Sequence, residues 1–284
     1  RRSIAERAIA SDTIIKFFRS SAVCQPGLYS RWPSTRTRRE RSSARQTVER
    51  LGVKTAGIDA AITSLSGGNG AGKTTVFNLI TGNVAPDSGE IRYKGRPING
   101  MSPHRIARAG IARSFQELRL FNRLSSLENV AVAVPDQCGE TIPSALLGGR
   151  RVRASAAAAE GTGREVLEGL TIAHQQHELA ERLSWGQQKL LGLGRLIAAK
   201  GNLLLLDEPT AGLSPAMVDD FCSRVRTLAR SGRTVLLIEH NIEVVMGLSD
   251  WVVVMHEGTK IAEGPPAEVR ANALVMQTYL GLTA

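Results

Sequence analysis

Cysteine is scarce in this chain: Cys24, Cys138 and Cys222 are its three thiols in 284 residues, odd in number, far apart and in no metal-ligand spacing. That arithmetic excludes a disulfide scaffold and fits a reducing cytosolic compartment. Long apolar runs are also absent. No stretch approaches the roughly 18 to 20 residues that a membrane-spanning helix requires, so the chain is expected to be soluble or peripheral to a membrane. Acidic residues run short in one region. Residues 1–50 hold eleven Arg and Lys16 against Glu6, Asp12, Glu40 and Glu49, a balance of +8 out of a total of +10, which leaves +2 for the other 234 residues. A basic surface spread over a domain would point to nucleic acid or an anionic membrane. Basicity confined to the first fifty residues carries no such weight, and no nucleic-acid partner is expected.

What is present falls into two parts. Residues 1–50 are rich in Arg and Ser, with one short apolar patch at Ile14, Ile15, Phe17 and Phe18. They form a basic N-terminal extension expected to be disordered or only partly ordered. An organellar transit peptide has this composition, and so does sequence upstream of a functional domain. Residues 51–284 read as one α/β domain, long enough to bury a substantial core and without internal repeats. Ile62 to Ser66 is a short strand running into a glycine-rich turn, followed by a helix that carries Val76, Phe77, Leu79 and Ile80 and ends near Gly82. Ile91 and Tyr93 alternate with Arg92 and Lys94 ahead of Gly95, the pattern of a half-exposed antiparallel strand and turn, hence a small β-subdomain. Ser102 and Pro103 supply the N-cap and first-turn proline of a short helix closed by Gly110. Ser125 with Glu128 is a capping-box pattern that opens a strand-free helical subdomain over about 121–197. Within it, Gly161 and Gly163 interrupt an Ala-rich helical run and Gly192 and Gly194 weaken another, at about 1 kcal/mol each relative to Ala. Leu203 to Leu206, Val235 to Ile238 and Trp251 to Met255 are apolar runs of buried-strand length. A helix from Ser214 and Pro215 to near Gly232 lies between the first two.

Gly67, Gly68, Asn69, Gly70, Ala71, Gly72, Lys73, Thr74 and Thr75 satisfy the Walker A pattern, between a predicted strand and a predicted helix as its mechanism demands. The glycines let the backbone curl until successive N–H groups converge on phosphate oxygens, and the helix N-terminus adds partial positive charge. Lys73 is expected to neutralise β/γ-phosphate charge, and Thr74 to ligate Mg2+. A flexible glycine turn is the bland alternative, and a chance match arises in roughly one chain in a hundred of this length. Leu203 to Leu206 followed by Asp207 and Glu208 is the Walker B arrangement. A strand buried in a parallel sheet delivers its C-terminal residues to the crevice where ligands bind. Asp207 is expected to hold Mg2+ through water, and Glu208 to orient or deprotonate the attacking water. These two motifs alone leave kinases, GTPases, helicases and transport ATPases in play.

A third motif separates them. Leu183, Ser184, Trp185, Gly186, Gln187 and Gln188 begin 24 residues before Asp207 and resemble the ABC signature Leu-Ser-Gly-Gly-Gln, with Trp185 in place of the first Gly. A Ser hydroxyl, backbone N–H groups and a helix N-terminus make a second anion clamp; a plain capped helix start is the structural alternative. From about Leu51 to its end the chain thus resembles the nucleotide-binding subunits of ABC transporters. The resemblance implies an α/β fold: a P-loop NTPase (RecA-like) core sheet, a small antiparallel β-subdomain and an ABC-type helical subdomain. ATP and Mg2+ are the implied cofactors. Gln116 matches the Q-loop residue that contacts Mg2+ and couples to the membrane subunits. His240, 32 residues after Glu208, matches the switch histidine that holds the γ-phosphate and attacking water. The other histidines, His104, His174, His177 and His256, are read as surface residues.

The implied catalytic set is therefore Glu208, His240 and Gln116, and the implied metal set is Thr74, Gln116 and Asp207. Nucleotide contacts are carried over onto Gly67, Asn69, Gly70, Ala71, Gly72, Lys73, Thr74 and Thr75. Ser184, Gly186 and Gln187 would serve the ATP held by a second ABC ATPase subunit, identical or not, packed head to tail. The further partners implied are transmembrane permease subunits and, indirectly, a solute-binding protein, with the chain peripheral on the cytoplasmic face of the inner membrane. Finer wording at 110–121, 211–215, 238–246, 261–264 and 279–281 resembles the branched-chain amino-acid importer ATPases. Energising the uptake of branched-chain or other hydrophobic amino acids is the expected function.

Some positions depart from the family pattern. Ser66 replaces an apolar strand residue, Gly68 the usual proline, and Ser214 the Asp common at the D-loop position. The aromatic that stacks on adenine should fall near Arg41 to Arg45, with Trp32 and Tyr29 as the available substitutes. A degraded copy with impaired nucleotide binding would fit these departures. A non-transport ABC ATPase acting on nucleic acid or ribosomes would fit the basic extension, although such proteins usually fuse two ATPase units or carry long coiled-coil insertions.

Overall fold

The computed structural model describes residues 16–18, 62–114, 118–139 and 149–280, so Gln116 and the stretch at 41–45 lie outside the described residues. In chain order its first elements are β1 (Lys16–Phe18), β2 (Ile62–Ser66), α1 (Lys73–Ile80), β3 (Glu90–Tyr93), β4 (Arg96–Pro97), α2 (Pro103–Arg108) and β5 (Ile111–Arg113). A helical stretch follows with α3 (Ser126–Ala131), α4 (Gly149–Gly169) and α5 (Trp185–Ala198). The rest is β6 (Leu203–Asp207), α6 (Pro215–Arg230), β7 (Thr234–Ile238), α7 (Ile242–Leu248), β8 (Trp251–His256), β9 (Thr259–Gly264), α8 (Pro266–Ala271) and α9 (Ala273–Leu280). Two compact units result, one of residues 1–109 with 238–284 and one of residues 110–237.

In the first unit β2 runs parallel to β8, from Thr63 opposite Trp251 to Ser66 opposite Val254. β9 is antiparallel on the other side of β8, with a register break between Val254 and Met255. A strand buried on both faces loses the polar alternation of a surface strand, which is why most of β8 reads as an apolar run, whereas β2 is buried throughout although it carries Thr63, Ser64 and Ser66. Val245 of α7, Val252 and Val254 of β8, Val269 of α8 and Val275 of α9 form one buried cluster over them. A second, antiparallel sheet has the order β1-β3-β4, with Lys16 opposite Arg92 and Tyr93 opposite Arg96. Ile91 and Tyr93 are buried, while Glu90 and Arg92 pair with each other at 2.8 Å, as the alternation predicts. The patch at Phe17 and Phe18 thus supplies a strand to this sheet.

In the second unit β5, β6 and β7 lie side by side in that order, with β5 parallel to β6 and β6 buried along its whole length. The capping box at α3 is realised: Ser125 Oγ accepts the Glu128 N–H at 3.2 Å, and the Glu128 carboxylate accepts the Ser125 N–H at 2.7 Å. Those bonds from Ser125 hold the Glu128 carboxyl below its usual range. Ser102 and Ser214 also stand at N-cap positions but make no side-chain cap bond, so Pro103 and Pro215 mark those helix starts instead.

The Ala-rich run expected to be interrupted at Gly161 and Gly163 is continuous as α4, and the run expected to be weakened at Gly192 and Gly194 also forms a helix, α5. Packing explains two of these: a Cβ on Gly163 would fall 2.8 Å from Leu127 Cδ1, and one on Gly194 would fall 3.1 Å from Leu170 Cδ1. Close helix contact outweighs the intrinsic cost of glycine, about 1 kcal/mol per site. Among the described residues from 118 to 202 there is no strand beyond an isolated bridge between Ser125 and Leu179.

Candidate functional site

The phosphate loop is built by backbone geometry in the first unit. Gly67 leaves β2 with φ +149°, and a Cβ there would lie 2.1 Å from the Met255 carbonyl oxygen of β8. Only glycine fits that approach. Gly70 and Gly72 follow with φ +78° and +92°, an alternation of handedness that turns successive N–H groups into one concavity. Ala71 N–H closes the loop on Gly68 O at 3.3 Å, and Gly258 N–H anchors it from the β8–β9 turn through Ala71 O at 3.1 Å. Lys73 is 6% exposed and donates from Nζ to Gly67 O at 2.7 Å and Gly68 O at 3.0 Å. A buried ammonium persists only with acceptors of this kind, and the lysine charge is thereby held over the loop. Asn69 and Thr74 are exposed, and Thr75 is half-buried on the first turn of α1. Nothing crowds Gly68, so its replacement of proline has no packing cause.

The switch position lies in the same unit. Glu239, 3% exposed at the end of β7, accepts the N–H of His240 at 3.1 Å and of Asn241 at 3.5 Å. Asn241 then caps α7 through Oδ1 to the N–H of Glu243 at 2.9 Å. His240 is exposed, in the short connection between β7 and α7 whose N–H groups the Glu239 carboxylate accepts.

The second unit holds Asp207, Glu208, Ser184, Gly186 and Gln187. Asp207 ends β6 at 4% exposure and pairs with the Arg113 guanidinium of β5 at 3.0 Å. Its N–H donates to Ser114 Oγ at 3.0 Å, and Ser114 N–H donates to Leu205 O at 2.8 Å. The Walker B carboxylate is therefore set by the neighbouring strand and carries a cationic partner. Glu208, half-buried, takes φ +47°, a left-handed conformation that costs a non-glycine residue about 1–2 kcal/mol. Its carbonyl oxygen accepts from Ala211 N–H and from Lys189 Nζ, each at 3.2 Å.

At the head of α5, Ser184 Oγ accepts the Gln187 N–H at 3.4 Å and Gln187 Oε1 accepts the Ser184 N–H at 2.8 Å. The capped helix start is realised, and the Gln187 side chain serves it. Ser184 and Gly186 stand at the positive end of a 14-residue helix. Arg113, Ser114, Lys189 and Glu239 escape sequence reasoning. No role attached to any of them in the sequence, and only the register of β5 on β6, Arg113 opposite Leu205, brings the first two beside the Walker B end.

Among the described residues no group of three or more His, Cys, Asp and Glu could enclose a metal ion, and no helix is long and apolar enough to cross a membrane. The exposed Thr74 hydroxyl of the first unit and the Asp207 carboxylate of the second are each an oxygen donor of a kind that Mg2+ accepts.

The ABC transporter family matches residues 58–211, and the branched-chain amino acid ATP-binding cassette transporter family matches residues 259–282. The high-affinity branched-chain amino acid transport ATP-binding protein BraF of Pseudomonas aeruginosa is 38% identical over 221 residues, 78% of this chain and 87% of that protein. LivG of Escherichia coli (strain K12), which carries the same description, is 37% identical over the same shares. The crystal structure of a nucleotide-free ATP-binding cassette from an ABC transporter matches with a TM-score of 0.67 at 30% identity, over 78% of this chain and 88% of that one. The α/β architecture is thus that of a P-loop ATPase cassette, and the chain belongs to the ABC transporter family, whose ATP-binding cassettes hydrolyse ATP to power transport.

Proposed function

We propose that this chain is the ATP-hydrolysing subunit of an importer for branched-chain or other hydrophobic amino acids, seated on the cytoplasmic face of the membrane against its permease subunits. The match of residues 259–282 to the branched-chain family carries the solute assignment, because it lies outside the nucleotide motifs that all ABC ATPases share. Two copies, or this chain and a related one, would pair head to tail. Each ATP would then lie between the loop of one chain, Gly67 to Thr75, and the Ser184 end of α5 in the other.

In this reading the loop amides and the Lys73 ammonium bind and orient the phosphates. Glu208 accepts the proton of the attacking water, and His240 with Gln116 keeps that water in line. Ser184 and the first N–H groups of α5 hold the phosphate presented by the partner subunit. Thr74, Asp207 and Gln116 would hold Mg2+, which when bound neutralises phosphate charge. The solute passes through the permease and never touches this chain.

Co-purification of the full chain with its permease, followed by uptake in vesicles, tests the proposal. ATP-dependent accumulation of labelled leucine, with little accumulation of labelled lysine, is the expected result. ATP hydrolysis without leucine uptake would overturn the solute assignment and leave the ATPase standing.

A further inference from the structure

Helix α5 grips the turn after β6 at two carbonyl oxygens. Trp185, its first residue, donates the indole N–H to Ala211 O at 3.2 Å. One turn further on, Lys189 donates from Nζ to Glu208 O at 3.2 Å, and the same ammonium stands 5.3 Å from the centre of the Trp185 ring. Lys189 is 6% exposed, so its charge is withdrawn from water and answered by a carbonyl and an aromatic face. The turn is closed on itself by Ala211 N–H to Glu208 O at 3.2 Å and by Leu213 N–H to Thr210 O at 3.1 Å. Gly212, at φ +76°, lies against the indole, where a Cβ would come within 2.9 Å of Nε1. Core packing accounts for neither side chain: the indole is 47% exposed, and the lysine is a charge in the interior.

We infer that Lys189 and Trp185 are positioning residues for Glu208, and that they make the head of α5 and the Walker B turn move as one piece. Glu208 holds φ +47°, a conformation that a non-glycine side chain keeps only when its surroundings impose it. Fixing its carbonyl oxygen fixes that backbone, and with it the direction in which the carboxylate leaves the chain. Ser184 caps the same helix. A phosphate drawn against Ser184 therefore pulls on a helix whose first two turns are hydrogen-bonded to the backbone of Glu208 and Ala211. Occupation of the clamp by the partner subunit's nucleotide is reported in this way to the Glu208 of this chain. The inference rests on the head-to-tail reading proposed above, and it adds a route between the two ATP sites.

The test compares the full chain with its Lys189→Met, Lys189→Arg and Trp185→Phe variants, following ATP hydrolysis against ATP concentration. Lys189→Met is expected to lower kcat about tenfold, the scale of a small misplacement of a reacting group. Its KM for ATP should stay within about twofold, since phosphate binding is untouched, and its Hill coefficient should fall toward that of independent sites. Lys189→Arg keeps the charge and a donor on a bulkier planar head, so it should restore part of the lost kcat. Trp185→Phe keeps an aromatic face for the ammonium and removes one donor, so its loss should be the smaller. A readout without nucleotide accompanies these. Lys189→Met should change the tryptophan emission of the chain, and the change should vanish in the Trp185→Phe background.

Wild-type turnover judges the ATPase reading, and the ratio of variant to wild type judges this inference. An active wild type with an unchanged Lys189→Met kcat overturns it, as does a loss that Lys189→Arg does not restore even in part. Should Lys189→Met fail to fold, an unchanged kcat and Hill coefficient in Trp185→Phe overturn it instead.

Discussion

In the phosphate loop the geometry comes from the backbone: Gly67, Gly70 and Gly72 take left-handed conformations, and the one long side chain, Lys73, folds back on the loop's own carbonyls. In the turn after β6 the geometry comes from side chains, with Arg113 and Ser114 reaching in from the β5 side and Trp185 and Lys189 from α5. The difference decides how each fails. A backbone-built site is damaged by adding atoms, because there is no room for them. A site gripped by side chains is damaged by removing them, because buried partners are left without an answer.

The largest expected effect removes chemistry and leaves both constructions intact. Glu208→Gln should keep ATP binding and accumulate a nucleotide-bound dimer while phosphate release falls about a thousandfold, within the range of a lost general base. Unchanged release would strip Glu208 of its role. Next comes a deletion in the turn. Arg113→Met leaves the Asp207 carboxylate buried and unpaired, which should cost about 3–5 kcal/mol of stability. Denaturant unfolding of the full chain measures this, and a midpoint equal to wild type would show that the pair does not hold the strand end.

An addition in the loop should follow. Gly67→Ala drives a methyl group into the Met255 carbonyl and is expected to cost about 3 kcal/mol. A nucleotide affinity equal to wild type would mean that the backbone there yields more readily than described. Smallest is the α3 cap, which belongs to neither construction. Glu128→Ala should cost about 0.5–1 kcal/mol at neutral pH. Because the folded-state pKa of Glu128 is lowered, its contribution is complete above the ordinary carboxylate range and disappears as pH falls through the folded value. Melting curves of the variant and wild type should therefore converge in acid, and a gap that persists there would assign the effect to something other than the charge.

The same contrast explains what the sequence made legible. The loop could be read because its chemistry is local: nine consecutive residues, Gly67 to Thr75, hold the glycines, the lysine and the hydroxyls between a strand and a helix. The apolar runs of β6, β7 and β8 and the Ser125–Glu128 cap were legible for the same reason. Arg113 was legible only within the family-like stretch 110–121 and not as the partner of Asp207, which is 94 residues away. Lys189 looks like an ordinary helix lysine until the turn comes down over it. β1 was read only as an apolar patch, since its pairing with β3 joins Phe18 to Glu90 across a long connection. The glycines of α4 were read as interrupting a helix and those of α5 as weakening one because propensity is visible in a sequence, whereas the approach of Leu127 or Leu170 is not.

Those glycines have a consequence for how the helical region folds. A helix weakened at several positions has little tendency to form alone, since nucleation is unfavourable and propagation through glycine is poor. α4, with Gly161, Gly163 and Gly169, gains its order from contacts such as Leu127 against Gly163, and α5 from contacts such as Leu170 against Gly194. The helices must then assemble together or not at all. Amide protons along α3, α4 and α5 should exchange with one shared opening free energy, so that this region behaves as a single cooperative unit and transmits a push at one end to the other without melting between.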